Sequence, residues 1–111
     1  MGFLVSFSRK MYLTQYMHNL ERRLNDKTTE KLKYTDQIAE YTTQINDISD
    51  SDSPAVKKLQ AKKAELEKYE KRIDIEIQKM QTQLQAANTE IQSADQMLQQ
   101  GIQRSFSYKV A

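Results

Sequence analysis

Apolar residues recur along this chain at alternating steps of four and three. The row runs Leu13, Met17, Leu20, Leu24, Tyr34, Ile38, Tyr41, Ile45 and Ile48, interrupted only by Lys27 and Lys31. A mean spacing of 3.5 residues, held over this length, predicts a helix that lays one stripe against a partner in a left-handed coiled coil. The same rule resumes at Val56, Leu59, Lys63, Leu66, Glu70, Ile73, Ile77 and Met80. It continues through Leu84, Ala87, Ile91, Ala94 and Leu98, with Lys63 and Glu70 as the exceptions.

Between the two rows lies Asp47-Ile48-Ser49-Asp50-Ser51-Asp52-Ser53-Pro54, which contains the only proline. Ser and Asp side chains compete for backbone hydrogen bonds and so favour turns and helix N-caps. Proline cannot continue a preceding helix, yet it suits the first position of a new one, where its missing N–H needs no partner. Ser51, Asp52, Ser53 and Pro54 are therefore the turn, with Ser53 as N-cap. The pattern predicts helices over about 3–48 and about 54–104, a turn at 49–53 and a short C-terminal tail. The fold class is all-α: a long antiparallel two-helix coiled-coil hairpin, forming one domain over residues 1–111.

Folding the chain at residues 51–52 brings Ile48 beside Val56, Tyr34 near Glu70 and Lys27 near Ile77. At ~1.5 Å per residue each arm would be roughly 70 Å long. Lys27 and Lys31 fit such a seam by laying their stems on apolar neighbours and extending their ammonium groups to water. Glu70, at the Lys31–Tyr34 level, is expected to form a buried or half-buried register pair.

Composition narrows the function. Hydrophobic residues make up 38% of the chain, and Lys, Glu and Gln are abundant, as in long helices and coiled coils. With no Cys and a single His, there is little from which to build a metal site, a nucleophile or a redox centre. No catalytic residue, metal or cofactor is expected, and the protein reads as non-enzymatic. The net charge of +2 comes from interspersed signs, so no nucleic-acid partner is expected. No apolar run approaches the ~20 residues of a membrane span. Phe3-Leu4-Val5 is too short for a Sec-type leader, so an extracellular location would need a leaderless route. That route is the expectation, with a cytoplasmic location as the alternative.

The termini carry the apolar excess. Phe3, Leu4, Val5, Phe7, Met11, Tyr12, Leu13, Tyr16 and Met17 are more than one stripe can hold. They are expected to be a frayed end or a cap over the partner helix, a subunit-packing surface or a membrane contact. Met1-Gly2-Phe3-Leu4-Val5-Ser6 matches the loose myristoylation pattern, although a bulky aromatic beside the glycine counts against it. Ser6-Phe7-Ser8-Arg9-Lys10 is echoed by Ser105-Phe106-Ser107-Tyr108-Lys109. From Met80 to Gln103 only Glu90 and Asp95 are charged before Arg104, so this half is either a weakly charged solvated face or covered by neighbours. The expected subunit-interface residues are Phe3, Phe7, Met11, Tyr12, Tyr16, Leu98, Ile102, Phe106, Tyr108 and Val110.

Energetics also point to association. Ordering a residue costs ~1–2 kcal/mol, and a fully buried Leu or Ile returns only ~1.5–3. A hairpin with one half-buried stripe per helix is thus marginal alone.

Asp52-Ser53-Pro54, the following helix with Tyr69, and Ile102-Gln103-Arg104-Ser105-Phe106 resemble the needle-subunit family of type III secretion systems. The likeness covers about half the chain. Ser51 stands where that family has its first turn proline, the chain is longer by several turns, and residues continue past Phe106. The secreted WXG100 hairpins and the prefoldin-like hairpins are weaker likenesses. The needle resemblance implies two helices that stack into a hollow extracellular filament, with copies of the chain and a secretion apparatus or chaperone as partners. The expectation is a self-assembling structural subunit. The alternative is a cytoplasmic coiled-coil adaptor or holdase-type chaperone that grips a protein client.

Overall fold

The structure, a computed structural model, describes the backbone of residues 2–110 and the side chains of residues 2–104. It is the expected all-α helical hairpin. Helix α1 spans Phe3–Asp47 and α2 spans Pro54–Val110, and no strand occurs among the described residues. The second helix runs past the expected end near residue 104. No proline or glycine follows Gly101 to stop it, so the expected C-terminal tail is a continuation of α2.

The turn is built as its side chains require. The last turn of α1 tightens, with the Ile48 N–H donating to the Ile45 carbonyl at 3.2 Å, so α1 ends one residue before the expected boundary. Asp50 Oδ1 accepts from the Asp52 N–H at 3.1 Å, and the Asp50 carbonyl accepts from the Ser53 N–H at 3.2 Å. Ser53 Oγ then accepts from the Val56 N–H at 3.2 Å, which satisfies a donor that the start of α2 leaves orphaned. Pro54 takes the first helical position behind this cap.

The chain divides into two compact units. One is Leu24–Lys79, and the other combines Met1–Arg23 with Met80–Ala111. In the turn unit, Val56 and Ile73 are buried and the other seam positions are half-buried. Residue n of α1 lies level with about residue 104 − n of α2. Lys27 Nζ meets Glu76 at 2.9 Å, Lys31 Nζ meets Asp74 at 2.6 Å, and the Thr35 hydroxyl donates to Glu70 at 3.1 Å. Tyr34 stacks on Tyr69 with centroids 5.9 Å apart. The seam lysines are therefore paired, and Glu70 is held by a hydroxyl while Lys31 turns to Asp74.

The unit of the termini buries Leu13, Leu20, Met80, Ala87, Ala94 and Leu98. Its seam is longer than the apolar row suggests. Ser6, only 2% exposed, and the half-buried Lys10 extend it backward from Leu13, and Gly101 extends it forward from Leu98. At four of its levels a small residue on one helix meets a large one on the other, Ser6 with Leu98, Lys10 with Ala94, Met17 with Ala87 and Phe3 with Gly101, while Leu13 is level with Ile91 and Leu20 with Leu84. Such alternation lets two backbones approach without leaving voids. Lys10 Nζ reaches Asp95 at 2.6 Å, and Arg9 reaches Glu90 at 3.6 Å.

Seven threonines, which are poor helix formers, are accommodated by local bonds. The hydroxyls of Thr14, Thr28, Thr29, Thr42, Thr43 and Thr89 each donate to the carbonyl four residues back, and the single O–H of Thr35 is shared between the Lys31 carbonyl and Glu70.

Candidate functional site

Once the heptad phase is carried back through Ser6 and Lys10, the N-terminal apolar residues sort into faces. Leu4 and Met11 share one heptad position and Val5 and Tyr12 the next, and both positions point away from the seam. All four are exposed, Leu4 at 75% and Tyr12 at 68%. Burying large apolar side chains is favourable and exposing them together is not, so a contiguous outward patch marks an interaction surface. The patch stops at His18 and Asn19, where the same two positions turn polar.

The other expected interface residues lie on the flanks or in the seam. Phe3 and Phe7 are exposed and stack one turn apart, with centroids separated by 6.3 Å. Tyr16 flanks the seam, and Ile102 of α2 is exposed. Leu98 does not belong with them. It is 8% exposed and spent on the hairpin's own seam opposite Ser6, because the four-three rule places it inward. The side chains of Phe106, Tyr108 and Val110 lie outside the described residues. Leu4 and Val5 belong to the patch although the apolar row alone did not select them. The missed signal was the heptad phase, which Ser6 and Lys10 carry in polar disguise.

The outward positions of α2 in this unit form a different surface. From Gln85 to Gln103 they hold Gln, Ala, Thr and Ser without one charge. Uncharged polar groups lose less on burial than ions, provided they find hydrogen-bond partners.

In the turn unit the chemistry is ionic. The Lys31 ammonium is held above the ordinary lysine value, first by its hydrogen bond to Asp74 and then by that carboxylate's charge. Lys27 is raised in the same direction, chiefly by its bond to Glu76, with Glu30 adding to it. Among the described residues no group of three or more His, Cys, Asp or Glu could hold a metal ion, and no buried side-chain polar atom lacks a partner. His18 faces Glu21 at 3.7 Å on the exposed side of α1. One shallow depression, on the outside of α2, is lined by Ala61, Ala64, Glu65, Lys68, Tyr69 and Arg72. No described helix is long and apolar enough to cross a membrane.

Compared with family models, with curated proteins and with solved structures, the chain matches none.

Proposed function

We propose that this chain is a non-enzymatic structural subunit that associates with copies of itself into a helical oligomer or filament. The observation that carries the reading is the outward apolar patch of Leu4, Val5, Met11 and Tyr12, on the side of α1 that the hairpin's own packing leaves open. A second helix laid on that face would remove from water what α2 cannot reach. The uncharged outward face of α2 supports the same reading, since it is suited to partial burial. The likeness of Asp52-Ser53-Pro54 and Ile102–Phe106 to needle subunits suggests an extracellular, needle-like form of such an assembly.

The test compares the parent with a Leu4→Ser, Met11→Ser, Tyr12→Ser triple variant by light scattering and negative-stain microscopy. The parent is expected to form large particles, and the variant to remain small with its helix content intact. A parent that stays monomeric while suppressing aggregation of an unfolding client would instead assign the patch to a holdase.

A further inference from the structure

The outward faces of the turn unit carry opposite charge. On α1 the positions turned away from the seam hold Asp26, Asp36, Glu40 and Asp47, with Lys33 the single cation. On α2 they hold Lys57, Lys58, Lys68, Lys71, Arg72 and Lys79, with Glu65 the single anion. All of these side chains are exposed, and none of them forms an ion pair among the described residues. The hairpin's own ion pairs use a different set of groups, at the seam and its flanks except for His18 on the outer side of α1. The outer charges are therefore segregated by sign and left unpaired.

We infer that this segregation is the docking code for a second copy of the chain, with the acidic outer face of α1 on one copy lying against the basic outer face of α2 on the next. The inference rests on the self-assembly reading and adds a charged contact in the turn unit to the apolar one of the termini. The internal register sets the geometry. Because residue n lies level with about residue 104 − n, a copy placed alongside with its turn at the same end brings Asp47 level with Lys57 and Asp36 with Lys68. Asp26 falls one residue from the level of Lys79. Glu40 is level with Ala64, in the depression lined by Lys68 and Arg72 and also by Glu65. Lys33 opposite Lys71 and Glu40 beside Glu65 are the two mismatches. A contact between two different faces is heterologous, so it leaves a free acidic face and a free basic face at the two sides of every pair. Such contacts propagate into rings or open filaments rather than closing as a two-fold dimer. Complementary charge also fixes register and excludes the like-on-like arrangements.

The experiment uses the full chain in two charge-reversed forms. One carries Asp36→Lys, Glu40→Lys and Asp47→Lys, making both outer faces basic. The other carries Lys57→Glu, Lys68→Glu and Lys71→Glu, which leaves four acidic and three basic groups on that face. Self-association is read by sedimentation velocity, with circular dichroism as the check on folding. Each form alone is expected to associate more weakly than the parent by on the order of tenfold or more, and an equimolar mixture is expected to restore association. Raising salt from about 0.05 M to about 0.5 M should weaken the parent's association, because exposed charges are then screened within a few ångström. Should a reversed form lose its helix, the parent's salt response and an intermolecular disulfide between Asp36→Cys and Lys68→Cys copies still decide the matter. A parent that assembles while both reversed forms assemble equally well overturns this inference and leaves the self-assembly reading standing. A parent that stays monomeric, or that binds through the same lysines only to duplex DNA or anionic vesicles, overturns both.

Discussion

Gly101 of α2 lies so close to Phe3 of α1 that a Cβ built on the glycine would sit 3.8 Å from both the Cα and the Cβ of Phe3. That distance is ordinary van der Waals contact, so an alanine fits where a larger side chain would press on backbone. Glycine inside a helix costs ~1 kcal/mol relative to alanine. Gly101→Ala is therefore expected to stabilise the hairpin by about 0.5–1 kcal/mol, read as a rise of a few degrees in the thermal midpoint. Gly101→Leu should lower the midpoint. An alanine variant less stable than the parent would mean that the approach at Phe3 is closer than described.

The Ser53 cap supports a second expectation. Ser53→Ala removes the acceptor for the Val56 N–H and should cost ~1 kcal/mol, whereas Ser53→Asp should keep most of the stability. Urea unfolding followed by circular dichroism measures both. If the alanine and aspartate variants unfold at the same midpoint, the hydroxyl is not the cap.

A third concerns high pH. Lys27 and Lys31 are raised above the ordinary value of 10.5 by Glu76 and Asp74, with Glu30 and Glu70 as the other facing carboxylates. A group whose folded pKa is raised contributes stability that is complete below the unfolded pKa and is lost as pH rises through the folded one. The parent should thus hold this contribution up to about pH 10.5 and lose it as pH rises further, through the raised values of the two lysines. Tyrosines titrate there too, so the comparison is with a Lys27→Met, Lys31→Met variant, whose loss over the same interval should be smaller. Equal losses would show that the two ion pairs do not set the alkaline limit.

The fourth tests the C-terminal end. Deleting Ser105–Ala111, or changing Phe106 to Ala, is expected to abolish higher assembly while helix content stays nearly unchanged. Particle size and circular dichroism are measured together. Assembly equal to the parent's would remove the terminus from the contact, and a collapse of helix content would place Phe106 in the hairpin's own core.

How much of this could be read from residues alone depends on whether apolarity marked the position. Val56, Ile73, Leu13 and Leu20 announce the seam, and the fold at residues 51–52 already pairs Tyr34 with Glu70 at the level that the structure shows. Ser53-Pro54 was legible because capping chemistry is local. Ser6, Lys10 and Gly101 were not, because what places them in the seam is the helix opposite, at Leu98, Ala94 and Phe3, and not their own character. The choice of Asp74 over Glu70 by Lys31 was equally hidden, since both acids lie within one turn and only side-chain geometry separates them. Leu98 was assigned to two roles, and its position in the phase decides for the seam.

The register also sets an order of folding. Moving one residue along α1 away from the turn moves the partner one residue along α2 the other way, so the loop that each contact closes lengthens by two. Loop-closure entropy grows only logarithmically with length, but nucleation is cheapest where the loop is shortest. Folding is therefore expected to begin at the Ser53-capped turn, with Ile48 against Val56, and to zip toward Phe3 and Gly101. Amide hydrogens in the first turns of α1 should exchange with solvent fastest, and substitutions there should speed unfolding while leaving the folding rate almost untouched.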